Sequence, residues 1–220
     1  MIILTDLSDV LIGGLGDAAK LIAARFGEGN SKKCWERIQK TKDDYDDVLR
    51  GYMEEKGYYR IFFAGSNFCF GHNDMYRVFS DAFKVTIPGT LKLYQRITSY
   101  PQRLKKDAPM VEGMPSIYLV SDHIRERQEE IERLHPEIFR VIKEAFWSFD
   151  LGAIKSDYGF FFRLLDKLEV SDDEVVFIDD NAQNIQCARR AGITSIQFTD
   201  AVALEEELKK LGFVIAPSIP

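Results

Sequence analysis

Cysteine, histidine and tryptophan are scarce in this chain of 220 residues, with three, three and two copies. The cysteines, Cys34, Cys69 and Cys187, are odd in number and show no CxxC spacing. That excludes a disulfide framework or a zinc site as the expectation and favours a reducing compartment. His72, His123 and His135 lack any mutual metal-ligand spacing; His135, before Pro136, reads as a loop or helix-end residue. No apolar stretch is long enough to span a bilayer. The first residues have no basic stretch of the signal-peptide kind, and an acid interrupts their apolar run at Asp6. Positive charge is also short, with a formal net charge of -6 and a pI of about 5.2. No nucleic acid or anionic membrane partner is therefore expected on electrostatic grounds. The one dense cationic cluster, Arg103, Lys105 and Lys106, sits in a Pro-flanked stretch and reads as a solvated loop. What remains is the composition of an ordinary cytoplasmic enzyme, long enough for one large domain or one domain with an insertion.

What the chain does have is carboxylates at the ends of apolar runs. Asp6 follows Ile2 to Thr5, and Asp179 and Asp180 follow Val175 to Phe177 and Ile178. Side by side in a parallel sheet, two such strands deliver all three acids to the carboxyl edge, where open α/β sheets bind their ligands. Like charges that close need a proton or a cation between them. A hard divalent ion with oxygen ligands answers that need, and magnesium is the expected one.

Hydrophobic periodicity divides the chain in two. Short β-rich runs occur at Ile2 to Thr5, Ile117 to Ser121, Val175 to Ile178 and Ser195 to Phe198, with a further strand expected near Phe146 to Phe149. Amphipathic stretches lie between them at Ile124 to Leu134, Tyr158 to Leu168, Ala182 to Arg190 and Ala203 to Leu211, the last two followed by Gly192 and Gly212 as helix stops. Strands alternating with helices predict an α/β fold with a doubly wound parallel sheet. From about Gly14 to Thr86 the pattern is helical only: Ala18 to Phe26, Cys34 to Gln39, Tyr45 to Lys56, Tyr58 to Ala64 and Asp74 to Phe83. The expected organisation is a discontinuous α/β core, 1–13 and 87–220, with an all-helical cap, 14–86, spliced in after the first strand; Pro88-Gly89 marks the return. The aromatic cluster Tyr58, Tyr59, Phe62, Phe63, Phe68 and Phe70 reads as core of that unit.

Four motifs in order, Asp6 in TDLSDVL, Ser121 in IYLVSD, Lys155 in GAIKSD and Asp179-Asp180 in FIDDNAQN, resemble those of the haloacid dehalogenase (HAD) superfamily of aspartate-nucleophile hydrolases, in the branch with a helical cap after the first strand. The resemblance covers most of the core. It implies a HAD-like Rossmannoid sheet and a magnesium-dependent phosphatase acting on a small phosphorylated metabolite. Asp6 would be the nucleophile that forms an aspartyl phosphate, splitting one hard displacement into two easier ones. Magnesium would be held by Asp6, the main-chain carbonyl of Ser8 and Asp180, with Asp179 behind them orienting a water or Lys155. Ser121, Asp122 and Lys155 would face the phosphoryl group, Ser121 through its hydroxyl and nearby N–H groups and Lys155 as a point charge. Oligomeric state is left open.

Taken singly these residues have plainer readings. An aspartate or serine after a strand is a common helix N-cap, and a lone lysine is usually exposed. Two acids in succession argue against capping alone, because one suffices. The chain departs from the family's phosphatases in two places. They carry a second aspartate two residues after the nucleophile, to protonate the leaving group and activate water; here that residue is Ser8, and Asp9 comes one position late. General acid-base help is worth about 10²–10⁴ in rate. Asp122 stands where many relatives have asparagine. Rival readings are a haloacid dehalogenase, which typically lacks the acid matching Asp180, a non-catalytic binder of a phosphorylated metabolite, suggested by Ser8, and a receiver-type phosphoacceptor, whose acid pair comes first in the chain. Gly14-Leu-Gly-Asp-Ala-Ala19, with Glu36 twenty residues beyond Gly16, fits a dinucleotide fingerprint, but begins eight residues after Asp6 rather than in the turn after the strand.

Overall fold

The computed structural model describes residues 1–99 and 115–217, so the Arg103, Lys105 and Lys106 cluster lies outside the described residues. Five strands, β1 (Ile2–Thr5), β2 (Ser116–Ser121), β3 (Ile142–Trp147), β4 (Val175–Asp179) and β5 (Thr194–Gln197), form one sheet in the order β3-β2-β1-β4-β5. All four neighbouring pairs are parallel. A parallel sheet is covered on both faces, which is why its central strands read as unbroken apolar runs. Successive residues supply opposite faces: Ile3, Ile117, Leu119, Val176 and Ile178 pack into one core, Leu4, Tyr118, Val120, Val175 and Phe177 into the other.

Five helices follow β1: α1 (Leu15–Phe26), α2 (Glu28–Lys40), α3 (Lys42–Leu49), α4 (Glu55–Phe63) and α5 (His72–Phe83). The chain enters and leaves this helical insert side by side, with Ile12 bridged antiparallel to Thr86 and the Ile87 N–H donating to the Leu11 carbonyl at 2.9 Å. α6 (Thr90–Thr98) then precedes β2. After β2 come α7 (Gln128–Leu134) and α8 (Pro136–Phe139), after β3 α9 (Ser148–Leu151) and α10 (Phe160–Leu168), after β4 α11 (Ala182–Arg190), and after β5 α12 (Ala201–Lys210).

Two expectations from the sequence need correction, and one helix had no expectation at all. The helix expected over Tyr45 to Lys56 is two helices, broken after Leu49. Gly51 has φ +76°, and a Cβ there would lie 2.8 Å from the Phe149 carbonyl oxygen, so the chain turns where it meets the core. The strand expected near Phe146 to Phe149 is β3, four residues earlier; it is the sheet edge, its Lys143 and Glu144 are exposed, and Ser148 already begins α9. The sequence reading passed over α6 altogether. Its buried Leu93, Tyr94 and Ile97 form the inward stripe, and the Tyr94 hydroxyl lies 2.7 Å from Thr5 Oγ1, beside the nucleophile candidate.

Insert and core are tied by polar contacts. Arg127, just after β2, is fully buried; its Nε donates to Glu55 Oε1 at the start of α4 over 2.9 Å, and its guanidinium lies 3.6 Å from the centre of the Tyr76 ring. Arg50 donates twice to Asp157, at 2.6 and 2.9 Å, and the Tyr52 hydroxyl donates to the Gly152 carbonyl at 2.8 Å.

Candidate active site

Parallel pairing of β1 with β4 in the register Thr5 to Ile178 sets Asp6 beside Asp179 at the same edge of the sheet, and the Asp6 N–H donates to the Ile178 carbonyl at 2.9 Å. Lys155 reaches this edge from the loop between α9 and α10. Its ammonium bridges the two acids, 2.8 Å from Asp6 Oδ1 and 2.7 Å from Asp179 Oδ2, and all three side chains are buried. Asp179 is held further by the Asn181 N–H at 2.8 Å and by Asn184 Nδ2 at 3.1 Å. Asp6 Oδ1 also accepts from the Leu7 N–H at 2.7 Å. Asp180, at the next position, is half-buried, and its carboxylate lies within 4.8 Å of those of Asp6 and Asp179.

Burial pushes the Asp6 carboxyl well above the usual carboxylate range, and Asp179 and Asp180 push the same way while Lys155 pulls it down. Asp180 is pushed up to about 6 by burial and then by Asp179 and Asp9. Burial alone would lower the Lys155 ammonium, but Asp179, Asp6 and Asp122 outweigh it and keep it protonated. Three carboxylates therefore face one ammonium. Hard oxygen donors gathered so closely, with negative charge in excess, suit a divalent cation of the magnesium type.

The Asp122 carboxylate accepts the Lys155 N–H, at 3.0 Å to Oδ1, and is pushed up to about 6 by burial. The acid that replaces asparagine thus holds the loop that carries the lysine. Ser121 Oγ, at the end of β2, is buried and has no hydrogen-bond partner among the described residues, but Ser121 is not among the residues lining the cavity.

A cavity of about 320 Å³ opens over this edge. Asp6, Ser8, Asp122, Lys155 and Asp180 line its floor, and Asp9 joins them. Asp9 adopts a left-handed backbone, φ +58°, in the tight turn over Leu7 to Ile12, and its carboxylate is anchored at Gly14. The opposite wall comes from the insert: Leu15, Trp35, Ile38, Tyr45 and Phe79, with Lys42 ion-paired to Asp46 at the edge. His123, left without a role by the sequence, also lines the cavity. Burial pushes it down to about 4, so its ring is neutral, with Nδ1 accepting the Ile124 N–H at 2.9 Å. Neither Arg127 nor the insert's contributors carry a motif; only the position of the insert over the sheet edge reveals them.

No family model matches the chain. In sequence, 124 residues, 56% of the chain, are 30% identical to the sesquiterpene phosphatase astK of Aspergillus oryzae, and the match spans 59% of that protein. In structure, the chain is similar to the putative HAD-hydrolase YfnB of Bacillus subtilis, solved with magnesium, at a TM-score of 0.67 and 14% identity over 94% of this chain and 98% of that one. It is similar also to a HAD family enzyme of Bacteroides thetaiotaomicron, solved with magnesium and inorganic phosphate, at a TM-score of 0.63 and 13% identity over 90% and 93% of the two chains. The chain has the HAD-like fold, a parallel five-stranded sheet flanked by helices. Among the described residues no helix is long and apolar enough to cross a membrane.

Proposed function

We propose that this protein is a magnesium-dependent phosphatase acting on a small phosphorylated metabolite. The observation that carries the reading is the Asp6 carboxylate at the cavity floor, ion-paired to Lys155 and flanked by Asp179 and Asp180. The phosphatase name of the 30% identical relative points to the same chemistry.

Asp6 attacks the phosphorus atom, the bond from phosphorus to the ester oxygen breaks and that oxygen takes a proton from water to leave as the alcohol, and an aspartyl phosphate remains until water restores the carboxylate and releases phosphate. Magnesium, held by Asp6, the Ser8 carbonyl and Asp180, would supply charge neutralisation to the phosphoryl oxygens. Asp179 holds the Lys155 ammonium in place, and Lys155 in turn offsets negative charge at Asp6 and at the phosphoryl group. Ser121 Oγ, a buried hydroxyl without a partner among the described residues, lies beside Asp122 at the cavity floor and would reach a phosphoryl oxygen only if the end of β2 opened toward the cavity. The helical insert acts as the cap that roofs the site and excludes water.

Ser8 favours a second reading, a protein that binds a phosphorylated metabolite and turns it over slowly or not at all. A hydroxyl cannot protonate the leaving group or activate water as a carboxyl can. A dehalogenase is the weaker alternative, because it has no use for Asp180. The deciding experiment is phosphate release from an activated aryl phosphate, with magnesium and in excess chelator, for the wild type and Asp6→Asn. The amide is nearly isosteric with the carboxylate but is no nucleophile, so turnover should vanish while circular dichroism stays unchanged. Activity that survives Asp6→Asn would remove Asp6 from the mechanism, and full activity in chelator would remove the cation from it.

A further inference from the structure

The wall that the insert gives the cavity is mainly hydrocarbon, with the Gln39 amide and the Tyr45 hydroxyl as its uncharged polar groups. Leu15 from α1, Trp35 and Ile38 from α2, and Phe79 and Phe83 from α5 form its apolar part. Trp35 is 48% exposed, so this large ring at the cavity is not sealed into a core. Lys42 and Asp46 neutralise each other, and the guanidinium of Arg127 is taken up by Glu55, Ser80 and Tyr76. That leaves the Gln39 amide and the Tyr45 hydroxyl as the polar groups of this wall able to meet the hydroxyls of a sugar. Behind it lie two further voids of about 10 Å³ each, and both share Leu15, Ile38 and Phe79 with the main cavity. These three side chains form a partition with unfilled space on both sides. An apolar group arriving from the cavity side gives the cavity-facing surfaces of these side chains the dispersion contacts they lack there.

We infer that the substrate is the phosphate monoester of a hydrocarbon alcohol, its phosphate at Asp6 and Lys155 and its tail against Trp35, Ile38 and Phe79, with the partition set by Leu15, Ile38 and Phe79 fixing the tail length. The inference rests on the phosphatase reading for the headgroup and is independent of it for the tail. Each methylene taken out of water tightens binding about fourfold until the space in front of the partition is used up. A polyhydroxylated phosphate ester of equal size would instead leave most of its hydroxyls without partners against that wall.

Non-hydrolysable alkylphosphonates separate the two claims, because they report tail recognition without turnover. Calorimetric titration of the full chain in magnesium with the ethyl, butyl, hexyl and octyl members should show affinity climbing about fourfold per methylene and then levelling. A hexose phosphonate should bind more weakly than the hexyl compound. Trp35→Ala, at an exposed position, should lower the octyl-to-ethyl affinity ratio, and Ile38→Ala, which joins the voids to the cavity, should move the levelling point to a longer chain. An alkyl series of flat affinity, or preference for the hexose compound, would overturn the inference even if aryl phosphates were hydrolysed. The climbing series in a protein that hydrolyses no phosphate ester would sustain the tail site and remove the catalytic reading alone.

Discussion

Replacing Lys155 by methionine keeps the length of the side chain and deletes the ammonium that bridges Asp6 and Asp179 at 2.8 and 2.7 Å. Removing one partner of a buried ion pair costs about 3–5 kcal/mol, because the other charge is left buried and unpaired. Asp179 keeps its bonds from Asn181 and Asn184, and Asp6 its bond from Leu7. The lower end, about 3 kcal/mol, therefore applies, and in a chain of this size it corresponds to a melting temperature lower by about 6–12 °C. The pH dependence has a definite sign. Lys155 is the strongest influence lowering the Asp6 carboxyl, which burial already raises, so without it the folded-state pKa rises further. A group raised in the folded state favours folding at low pH and loses that contribution as pH climbs through its folded value. The deficit of Lys155→Met should accordingly be largest at neutral pH and shrink on acidification. Calorimetric melts of both proteins in chelator at neutral and mildly acidic pH test this, with Lys155→Arg as the charge-preserving control. Equal melting temperatures at neutral pH, or a deficit that grows on acidification, would refute the bridging role.

Three other outcomes follow from the same geometry. With Asp122 and Asp180 both pushed up to about 6, the metal-free protein should gain stability as pH falls from 7 to about 5, and excess magnesium should flatten that trend by taking the place of the protons; melting in chelator and in magnesium across this range checks it. Asp179→Ala should weaken magnesium binding about 10–100-fold and lower the melting temperature, since its carboxylate anchors Lys155, whereas Asp180→Ala should weaken magnesium binding more and stability less, as magnesium titration of activity and parallel melts would show. With Ser8 where the family has its acid, the aspartyl phosphate should break down more slowly than it forms. Rapid quench should therefore record a product burst, and Ser8→Asp should shorten that burst and raise the steady rate; no burst and no gain would mean that another group supplies the base or that the chain only binds.

Three acids of the cavity floor, Asp6, Asp122 and Asp180, stood out in the sequence because each comes just after a buried strand, whereas Lys155 sits in a loop with no run to mark it. β1 and β4 are central strands buried on both faces, so Ile3, Leu4 and Val175 to Ile178 stand out as apolar runs, and whatever follows them is at the carboxyl edge. At the sheet edge that signal fails: β3 exposes Lys143 and Glu144, so only its last residues look like a strand, and the run was displaced toward Phe149. The break after Leu49 was signalled by Gly51 but masked by the apolar and aromatic residues on either side. The cavity's upper wall had no local signal at all. Leu15, Ile38 and Phe79 look like ordinary inward positions of amphipathic helices, and only tertiary placement makes them a surface facing the carboxylates. Arg127 is still less readable, since a buried arginine needs Glu55, far away in the sequence, to be tolerated there.

Charge balance explains why these parts belong together. On the proposed reading a phosphate dianion must enter a floor where Asp6, Asp179 and Asp180 already outnumber the single ammonium of Lys155. In a partly dry cavity that repulsion is strong, because charges interact far more there than in water. Lys155 alone cannot reverse it, which gives the cation a role in binding as well as in the reaction. Asp122 enters the same balance. Burial raises its carboxyl to about 6 and the Lys155 N–H pulls it back, so near neutral pH it holds the loop mostly as a carboxylate and adds to the negative charge. Asp122 therefore strengthens the need for a cation, since it raises the negative charge that an incoming phosphate meets.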